Sequence, residues 1–241
     1  MFSDEDMFSR TEMLIGKENI NILKKSKVAV VGIGGVGSFT VEGLARAGVG
    51  SFVLIDSECI DVTNINRQIH SNIYTVGRPK VEVMKERIQN INPIADVTAF
   101  KEYFSTDTSQ QLLVGDLDYI VDAIDSIGSK IELILEAKIR EIPIISSMGA
   151  GNKIDPTKFV VADIYNTDTC PLARVIRKEL RKREVKSLKV VYSREAPARA
   201  TCEVKEKTED KAKLVPASIS FVPSVAGLII AGEVIKDLIK I

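Results

Sequence analysis

The stretch "KVAVVGIGGVGSF", residues 27 to 39, decides the fold. Its apolar run, residues 28–31, is typical of a strand that is covered on both faces by other parts of the protein. Gly32, Gly34 and Gly37 then match the spacing G-x-G-x-x-G, and Gly35 adds a fourth glycine. A glycine-rich turn between a strand and a helix directs backbone N–H groups at an anion. The stretch therefore predicts a phosphate-binding loop.

Strands and helices alternate along the first 150 residues. The pattern predicts strands over 27–32, 51–56, 95–100, 117–125 and 143–149, with helices over 37–48, 78–92 and 130–142. This alternation favours an α/β, Rossmann-like fold with a doubly wound, mainly parallel sheet and helices on both faces. We treat 1–241 as a single domain, in which 1–150 form the nucleotide-binding core.

The pattern loosens in residues 151–241, which predict a smaller C-terminal extension. It contains a strand over 158–165, a basic helix over 170–186, a strand over 188–193 and a last helix over 224–239. Residues 194–213 are charged, aperiodic and poor in large apolar side chains, which predicts a mobile loop. The apolar stretch 218–235 is interrupted by Pro223 and Glu233 and predicts a buried core helix rather than a membrane span.

The composition is that of a globular protein in a reducing compartment. Hydrophobic residues make up 45% of the chain, and 33 Lys and Arg balance 33 Asp and Glu, so net charge does not indicate a partner. The three cysteines, Cys59, Cys170 and Cys202, form no C-x-x-C pair, which argues against a cysteine-rich zinc site. The acidic N-terminus lacks the apolar core of a secretion signal. We expect a cytoplasmic protein.

Downstream residues favour ATP over NAD as the nucleotide. Asp56 ends the second predicted strand, where a carboxylate can bind ribose hydroxyls in either class of protein. Residues 62–80 then add Asn64, Arg67 and Lys80. A triphosphate under attack needs cations beside its phosphates, whereas a hydride-transfer site needs an apolar slot. Asp122 and Asp125 end the fourth predicted strand and are candidate Mg²⁺ ligands, Asp122 the weaker one. Capping of the following helix is the alternative role of Asp125.

In order and spacing, these motifs resemble the E1-like adenylating enzymes, which activate ubiquitin-like and sulfur-carrier proteins. The matching stretches are "GIGGVGS" (32–38), "TNINRQ" (63–68), "VGRPK" (76–80) and "DAIDS" (122–126). The resemblance implies that the glycine loop, Asp56 and Ser126 bind ATP. It implies that the residues at Asn64, Arg67, Lys80 and Asp125 contact phosphates or Mg²⁺. "FSRTEMLIG" (8–16) resembles the leading helix, whose arginine, here Arg10, reaches the site of the neighbouring subunit in a homodimer.

Nearly the whole chain resembles one branch of this family, the tRNA threonylcarbamoyladenosine dehydratases. "TNINRQIHS" (63–71), "IPIISSMGAGNKIDPT" (142–157) and "FVPSVAGLIIAGEVI" (221–235) carry this likeness. The branch implies ATP-dependent dehydration: the carboxylate of the threonylcarbamoyl group on a tRNA adenosine is adenylated, the side chain cyclises, and AMP leaves. Because the substrate supplies its own nucleophile, the protein needs none. Among the cysteines, Cys202 is the one candidate for a catalytic thiol, since a mobile loop carries that thiol in other E1-like enzymes.

A basic segment, 170–194, is a candidate tRNA-binding surface. It places the cations Arg174, Arg177, Lys178, Arg181 and Lys182 on one predicted helix. Such a helix in a neutral protein is typical of a site for a polyanion, although charge runs also form ordinary solvated faces. The family resemblance favours tRNA. His70 is the only histidine, and we assign it no catalytic role.

Two other functions stay open at this stage. One is adenylation of the C-terminal glycine of a ubiquitin-like sulfur carrier, although this chain lacks the paired C-x-x-C motifs common in such enzymes. The other is an NAD-dependent oxidoreductase or a dinucleotide sensor. A monovalent cation is a further candidate cofactor, and a sulfur-transfer protein is a further candidate partner.

Overall fold

The computed structural model describes residues 7–198, 205–207, 212–214 and 216–241. Its helices are α1 Ser9–Ile15, α2 Lys17–Lys25, α3 Gly37–Ala47, α4 Lys80–Ile91, α5 Ser109–Leu112, α6 Ile127–Ile139, α7 Pro171–Lys182 and α8 Phe221–Ile239. Its strands are β1 Lys27–Val31, β2 Ser51–Ile55, β3 Asp96–Phe100, β4 Tyr119–Asp122, β5 Ile144–Ser147, β6 Phe159–Asp163, β7 Lys189–Ser193, β8 Lys205–Lys207 and β9 Ala212–Leu214.

Seven of these strands form one sheet in the order β3-β2-β1-β4-β5-β7-β6. The pairs from β3 to β7 are parallel, and β6 joins β7 antiparallel at the edge. The predicted α/β fold with a mainly parallel sheet is confirmed. The strand order reverses between β1 and β4, and such a switch point opens a crevice at the carboxyl ends of the strands.

Hydrophobic side chains on both faces of the sheet explain why the strands are continuous apolar runs. Val28 and Val30 belong to the core on one face, whereas Ala29 and Val31 belong to the core on the other. Alternate residues of a strand point to opposite faces, so a strand with helices on both sides must be apolar throughout.

Helix α8 covers the helix that follows the glycine loop. A Cβ atom on Gly43 of α3 would lie 2.7 Å from Cβ of Ala231, and one on Gly227 would lie 2.4 Å from the carbonyl oxygen of Val36. Small residues thus allow α3 and α8 to approach closely. The stretch predicted as a core helix has this role, and within the described residues no helix is long and apolar enough to cross a membrane.

The structure differs from the sequence prediction in several places. Helix α2 and the short helix α5 were not predicted, and β4 ends at Asp122, three residues earlier than expected. Where the sequence predicts a loop over 194–213, the described strands β8 and β9 pair antiparallel, and β9 extends one residue beyond that range. A two-stranded ribbon needs no apolar face, so hydrophobic periodicity does not reveal it. The rest of that prediction concerns 199–204 and 208–211, which lie outside the described residues, as does Cys202.

Candidate nucleotide-binding site

The glycine loop lies at the switch point and touches the turn that follows β4. Gly32 has a φ of +89°, and a Cβ there would lie 2.5 Å from the carbonyl oxygen of Ala123. A Cβ on Gly37, the first residue of α3, would lie 1.8 Å from the carbonyl oxygen of Gly32. Only glycine fits these two positions. The loop therefore stays close to the sheet edge, and the N-terminus of α3 opens toward the crevice.

Asp56, directly after β2, is fixed against this loop. Its Oδ2 accepts a hydrogen bond of 2.6 Å from the backbone N–H of Ile33, and its Oδ1 accepts one of 2.9 Å from the N–H of Glu58. Burial raises the pKa of the Asp56 carboxyl group, while the charge of Lys80 and the two backbone donors oppose this shift. The carboxylate is thus held in one orientation at the edge of the crevice.

Lys80 places a buried positive charge near Asp56. It is the first residue of α4, its side chain is only 4% exposed, and its ammonium pairs with the Glu58 carboxylate, which is 67% exposed. An exposed carboxylate keeps its hydration when its partner leaves, whereas the buried ammonium of Lys80 needs an anionic partner. A phosphate entering from solvent can therefore replace Glu58 as the partner of Lys80.

Arg67 lies beside the glycine loop. Its Nη1 donates to the carbonyl oxygen of Thr63 at 2.8 Å and to Oδ1 of Asn66 at 3.0 Å. A Cβ on Gly35 would lie 3.5 Å from Cγ of Arg67. Both partners of the guanidinium are neutral oxygens, so its charge is not cancelled by these contacts and is available to an anion.

Asn64 shapes the loop that carries Arg67. It is buried, and its Oδ1 accepts a hydrogen bond of 3.2 Å from the N–H of Asp61, while Oδ1 of Asp61 accepts one from the N–H of Thr63. This reciprocal cap closes a short 3₁₀ turn, Val62–Asn64. The role of Asn64 as a nucleotide ligand stays a prediction.

The two aspartates that follow β4 have different surroundings. Asp122 is fully buried and its Oδ2 pairs with Nζ of Lys130 at 2.8 Å, so it cannot reach a phosphate-bound ion and is not a Mg²⁺ ligand as considered above. Asp125 is exposed. The N-cap of α6 is Ser126, without a side-chain capping bond, so the structure does not show the alternative capping role of Asp125.

Sequence reasoning missed Tyr103, which belongs to the same edge of the sheet. Its hydroxyl lies 3.1 Å from Oγ of Ser126 and accepts a hydrogen bond of 2.6 Å from Oγ of Ser129. The ring is about half exposed. An aromatic residue three positions after a predicted strand is a weak signal, because only the fold brings it to the N-terminus of α6.

Other predicted residues lie apart from this cluster. Arg10 is exposed on α1. Cys59 is partly buried and Cys170 is buried, and both are free thiols. Within the described ranges, no three His, Cys, Asp or Glu side chains are grouped as metal ligands.

Helix α7 carries the basic surface, with Ala173, Ile176 and Leu180 on its buried face. Arg177 binds inside the protein: its Nη1 donates to the carbonyl oxygen of Thr167 at 2.6 Å. The remaining cations of the predicted surface are exposed: Arg174, Lys178, Arg181 and Lys182. Arg181 lies over the ring of Tyr165, with 5.3 Å to its centre, and Lys182 pairs with Glu179 at 2.6 Å.

Several known proteins are similar to this chain. A family model described as "ThiF family" matches residues 8–241. The tRNA threonylcarbamoyladenosine dehydratase of Bacillus subtilis (strain 168) is 49% identical over 240 residues, which is 97% of this chain and 94% of that protein. The molybdopterin-synthase adenylyltransferase of Salmonella typhimurium is 31% identical over 148 residues, 60% of this chain and 59% of that protein.

A solved structure is similar over the full length of this chain. The crystal structure of E. coli tRNA N6-threonylcarbamoyladenosine dehydratase, TcdA, in complex with ATP has a TM-score of 0.89 to this chain at 33% identity. The match covers 100% of this chain and 97% of the other.

Proposed function

Because this chain belongs to the ThiF family, we propose that it is an ATP-dependent tRNA threonylcarbamoyladenosine dehydratase. The observation that carries this proposal is similarity to such enzymes over nearly the full length of both chains, in sequence and in fold. One of these relatives was solved in complex with ATP, and this chain has a glycine loop with the Asp56 carboxylate fixed against it and two cations nearby, a set that supports the proposal. We place the enzyme in the cytoplasm, with its tRNA substrate.

The chemistry requires activation of a carboxylate, because a carboxylate is a poor electrophile and its oxygen a poor leaving group. A carboxylate oxygen of the threonylcarbamoyl group attacks the α-phosphorus of ATP, and pyrophosphate leaves. A nucleophile within the same substituent then attacks the activated carboxyl carbon. The bond from this carbon to the oxygen on the α-phosphorus breaks, and AMP leaves with that oxygen. The modified adenosine has lost one water, and no protein nucleophile is used. Positioning supplies much of the rate in such an intramolecular closure.

The residues of the crevice divide this work between them. Backbone N–H groups of the glycine loop and the N-terminus of α3 bind phosphate, and Asp56 binds the ribose hydroxyls. Arg67 and Lys80 stabilise the charge that develops on the phosphates and on the departing pyrophosphate. Arg67 lies beside the loop and Lys80 lies near Asp56, and an entering phosphate can replace their present partners. Asn64 holds the turn that presents Arg67.

The arrangement fits Mg²⁺ that is carried in largely by the nucleotide. Asp125 is exposed at the carboxyl edge, and the described residues contain no cage of carboxylates. Mg²⁺ often binds through one or two carboxylates, substrate phosphates and water. Asp125 would hold the ion, with Ser126 beside it. The ion, when bound, neutralises phosphate charge and makes the α-phosphorus easier to attack.

We assign Arg10 to the site of a second copy of the chain. Arg10 is exposed, and Met13 and Leu14 beside it on α1 are 81% and 85% exposed. Two large apolar side chains that are almost fully exposed on one short helix favour a protein contact there. A symmetric homodimer then contains two composite sites, each completed by the Arg10 of the other protomer.

We assign tRNA binding to the exposed cations of α7. Arg174 and Lys178 carry the proposal best, because their charges point to solvent and they lie one turn apart. Arg181 and Lys182 extend the surface. Arg177 stabilises the fold and does not contact tRNA in this proposal, since its guanidinium donates a hydrogen bond to the carbonyl oxygen of Thr167. A polyanion bound in this way would contact the helix through its phosphates.

Mass spectrometry of tRNA nucleosides tests this function. Linear threonylcarbamoyl-modified tRNA is incubated with the protein, ATP and Mg²⁺, beside Arg67→Ala and the matched control Arg46→Ala, an exposed arginine paired with Glu42. We expect loss of one water coupled to AMP release, absent in Arg67→Ala and retained in Arg46→Ala. Pyrophosphate exchange without a change in the tRNA would redirect the search to a carrier protein. If neither signal appears and NAD raises the melting temperature of the protein, the ATP assignment is rejected.

A further inference from the structure

A buried ion pair lies directly beneath the turn that follows β4. Asp122, the last residue of β4, and Lys130 of α6 are both 0% exposed. Nζ of Lys130 donates to Oδ2 of Asp122 at 2.8 Å. A buried charge pair costs much solvation free energy, and an apolar pair of similar volume is often as stable or more stable. Stability alone therefore gives no reason for charged groups at this place.

The ion pair joins β4, α6 and β5. Oδ2 of Asp122 accepts a second hydrogen bond of 2.5 Å from Oγ of Ser146, and Nζ of Lys130 donates to the carbonyl oxygen of Ser147 at 3.0 Å. Both serines belong to β5. The Asp122 side chain is thereby held in one orientation by α6 and β5 together.

The remaining oxygen of Asp122 acts on the turn itself. Its Oδ1 accepts a hydrogen bond of 3.1 Å from the N–H of Ile124. Ala123 lies between these two residues, and its N–H donates to the carbonyl oxygen of Val31 at 2.9 Å. Its carbonyl group lies so close to Gly32 that a Cβ on Gly32 has no room. The turn that leads to Asp125 is thus clamped between the buried pair below and the glycine loop beside it.

We propose that Asp122 and Lys130 are positioning residues for nucleotide binding, and that they act by fixing the turn 123–125 through the Asp122–Ile124 hydrogen bond. The inference rests on the proposed function, because it assumes that Asp125 and the glycine loop meet the same nucleotide. Lys130 and Ser146 hold the carboxylate, the carboxylate holds the turn, and the turn presents Asp125 to the crevice. Neither Asp122 nor Lys130 touches the nucleotide.

Two double variants separate positioning from stability. Asp122→Asn/Lys130→Met and Asp122→Leu/Lys130→Met both remove the two buried charges, but only asparagine keeps an oxygen that can accept from Ile124. A third variant, Ile124→Pro, removes the donor and leaves the ion pair intact, in case the leucine variant does not fold. The readouts are hydrogen exchange of the 122–126 amides, melting temperature, and the dissociation constant for ATP at fixed free Mg²⁺.

We expect the asparagine variant to keep exchange protection of the Ile124 amide and an ATP affinity within about threefold of the unsubstituted protein, whereas the leucine and proline variants bind ATP about 10- to 100-fold more weakly while folded. Equal turn protection and equal ATP affinity in the two double variants would overturn the inference. If the unsubstituted protein does not bind ATP, the proposed function is rejected. In that case hydrogen exchange still tests the inference, because equal protection of the turn in the two double variants would show that the Asp122 oxygen does not fix it.

Discussion

Gly37 lies so close to Gly32 that a Cβ atom on it would be 1.8 Å from the carbonyl oxygen of Gly32. The start of α3 is therefore packed directly onto the end of β1, with no space for a side chain. Gly34 lies between them in sequence, yet a Cβ there would have no atom within 4 Å. Both residues match the glycine motif, but packing excludes a side chain only at Gly37.

Substitution of these glycines tests that difference. We expect Gly37→Ala to lower the free energy of unfolding by about 2 kcal/mol or more, because backbone must move to relieve the overlap. Gly34→Ala is the matched control and should stay within about 0.5 kcal/mol of the unsubstituted protein. Denaturant titration of the nucleotide-free protein measures both. Equal losses would contradict the packing seen at Gly37.

Removal of the Asp56 carboxylate should weaken ATP binding. In Asp56→Ala the ribose loses a charged acceptor and the N–H of Ile33 loses its partner, so we expect about 10- to 100-fold lower affinity. Thermal shift with ATP–Mg²⁺, and with NAD as a second ligand, measures the change. Asp96→Ala, an exposed aspartate at the start of β3, is the control and should bind ATP normally.

Charge reversal on α7 should weaken tRNA binding. We expect Arg174→Glu/Lys178→Glu to reduce affinity and to flatten its dependence on salt, because fewer counterions are released when fewer phosphates are neutralised. Filter binding at several salt concentrations gives both quantities. Lys25→Glu/Lys240→Glu makes the same change in net charge at exposed positions on other elements. If that control weakens binding equally, the effect is one of total charge and not of this helix.

Mixing two inactive variants should restore activity if Arg10 completes the neighbouring site. Arg10→Ala keeps Arg67, and Arg67→Ala keeps Arg10, so a mixed dimer contains one intact composite site. Random exchange of protomers between symmetric dimers predicts about one quarter of the activity of the unsubstituted protein. AMP release before and after exchange is the measurement. No recovery, with exchange verified by mass, would place Arg10 outside the partner's site.

His70 should make the protein less stable in acid. The residue is 2% exposed, neither ring nitrogen has a hydrogen-bond partner among the described residues, and burial lowers its pKa to about 3. The unfolded chain, with an ordinary histidine pKa near 6.5, takes up the proton first as the pH falls. Stability present above pH ~6.5 is therefore lost as the pH falls toward 3, by up to about 1.4 kcal/mol per pH unit from this group.

Comparison with His70→Asn isolates this contribution. The variant should show a shallower decline in the free energy of unfolding between pH 6.5 and pH 5, whatever its absolute stability, because asparagine does not titrate. Urea titrations at a fixed protein concentration across that range measure both slopes. Identical slopes would show that His70 does not lose its proton affinity on folding.

Much of the fold could be read from local patterns. The glycine spacing from Gly32 to Gly37 and the apolar runs on either side place β1, α3 and β2 within a residue or two of their observed ends. These patterns depend on neighbouring residues only, since a strand covered on both faces must be apolar and a turn without space needs glycine. The position of Asp56 at the carboxyl edge followed from strand direction, and its hydrogen bond from the N–H of Ile33 fixes it against the glycine loop.

The separation of Asp122 from Asp125 could not be read in this way. Both are acidic residues at the end of an apolar run, and the sequence offered both as Mg²⁺ candidates, the first more weakly. Lys130 stands in a helix eight residues later, and Ser146 lies 24 residues away on β5. Burial and pairing depend on which distant side chains the fold brings together, which no local pattern records.

By itself, the sequence determined the fold class, the position of the glycine loop and the family, because each depends on residue types at short, regular spacings. Only the tertiary structure decided which charges are free for chemistry. It buried Asp122 with Lys130, gave Lys80 the exposed Glu58 as a partner, and engaged Arg177 with Thr167. The physical reason is that the availability of a charge is set by its solvation and its partners, and both arise only when distant parts of the chain pack together.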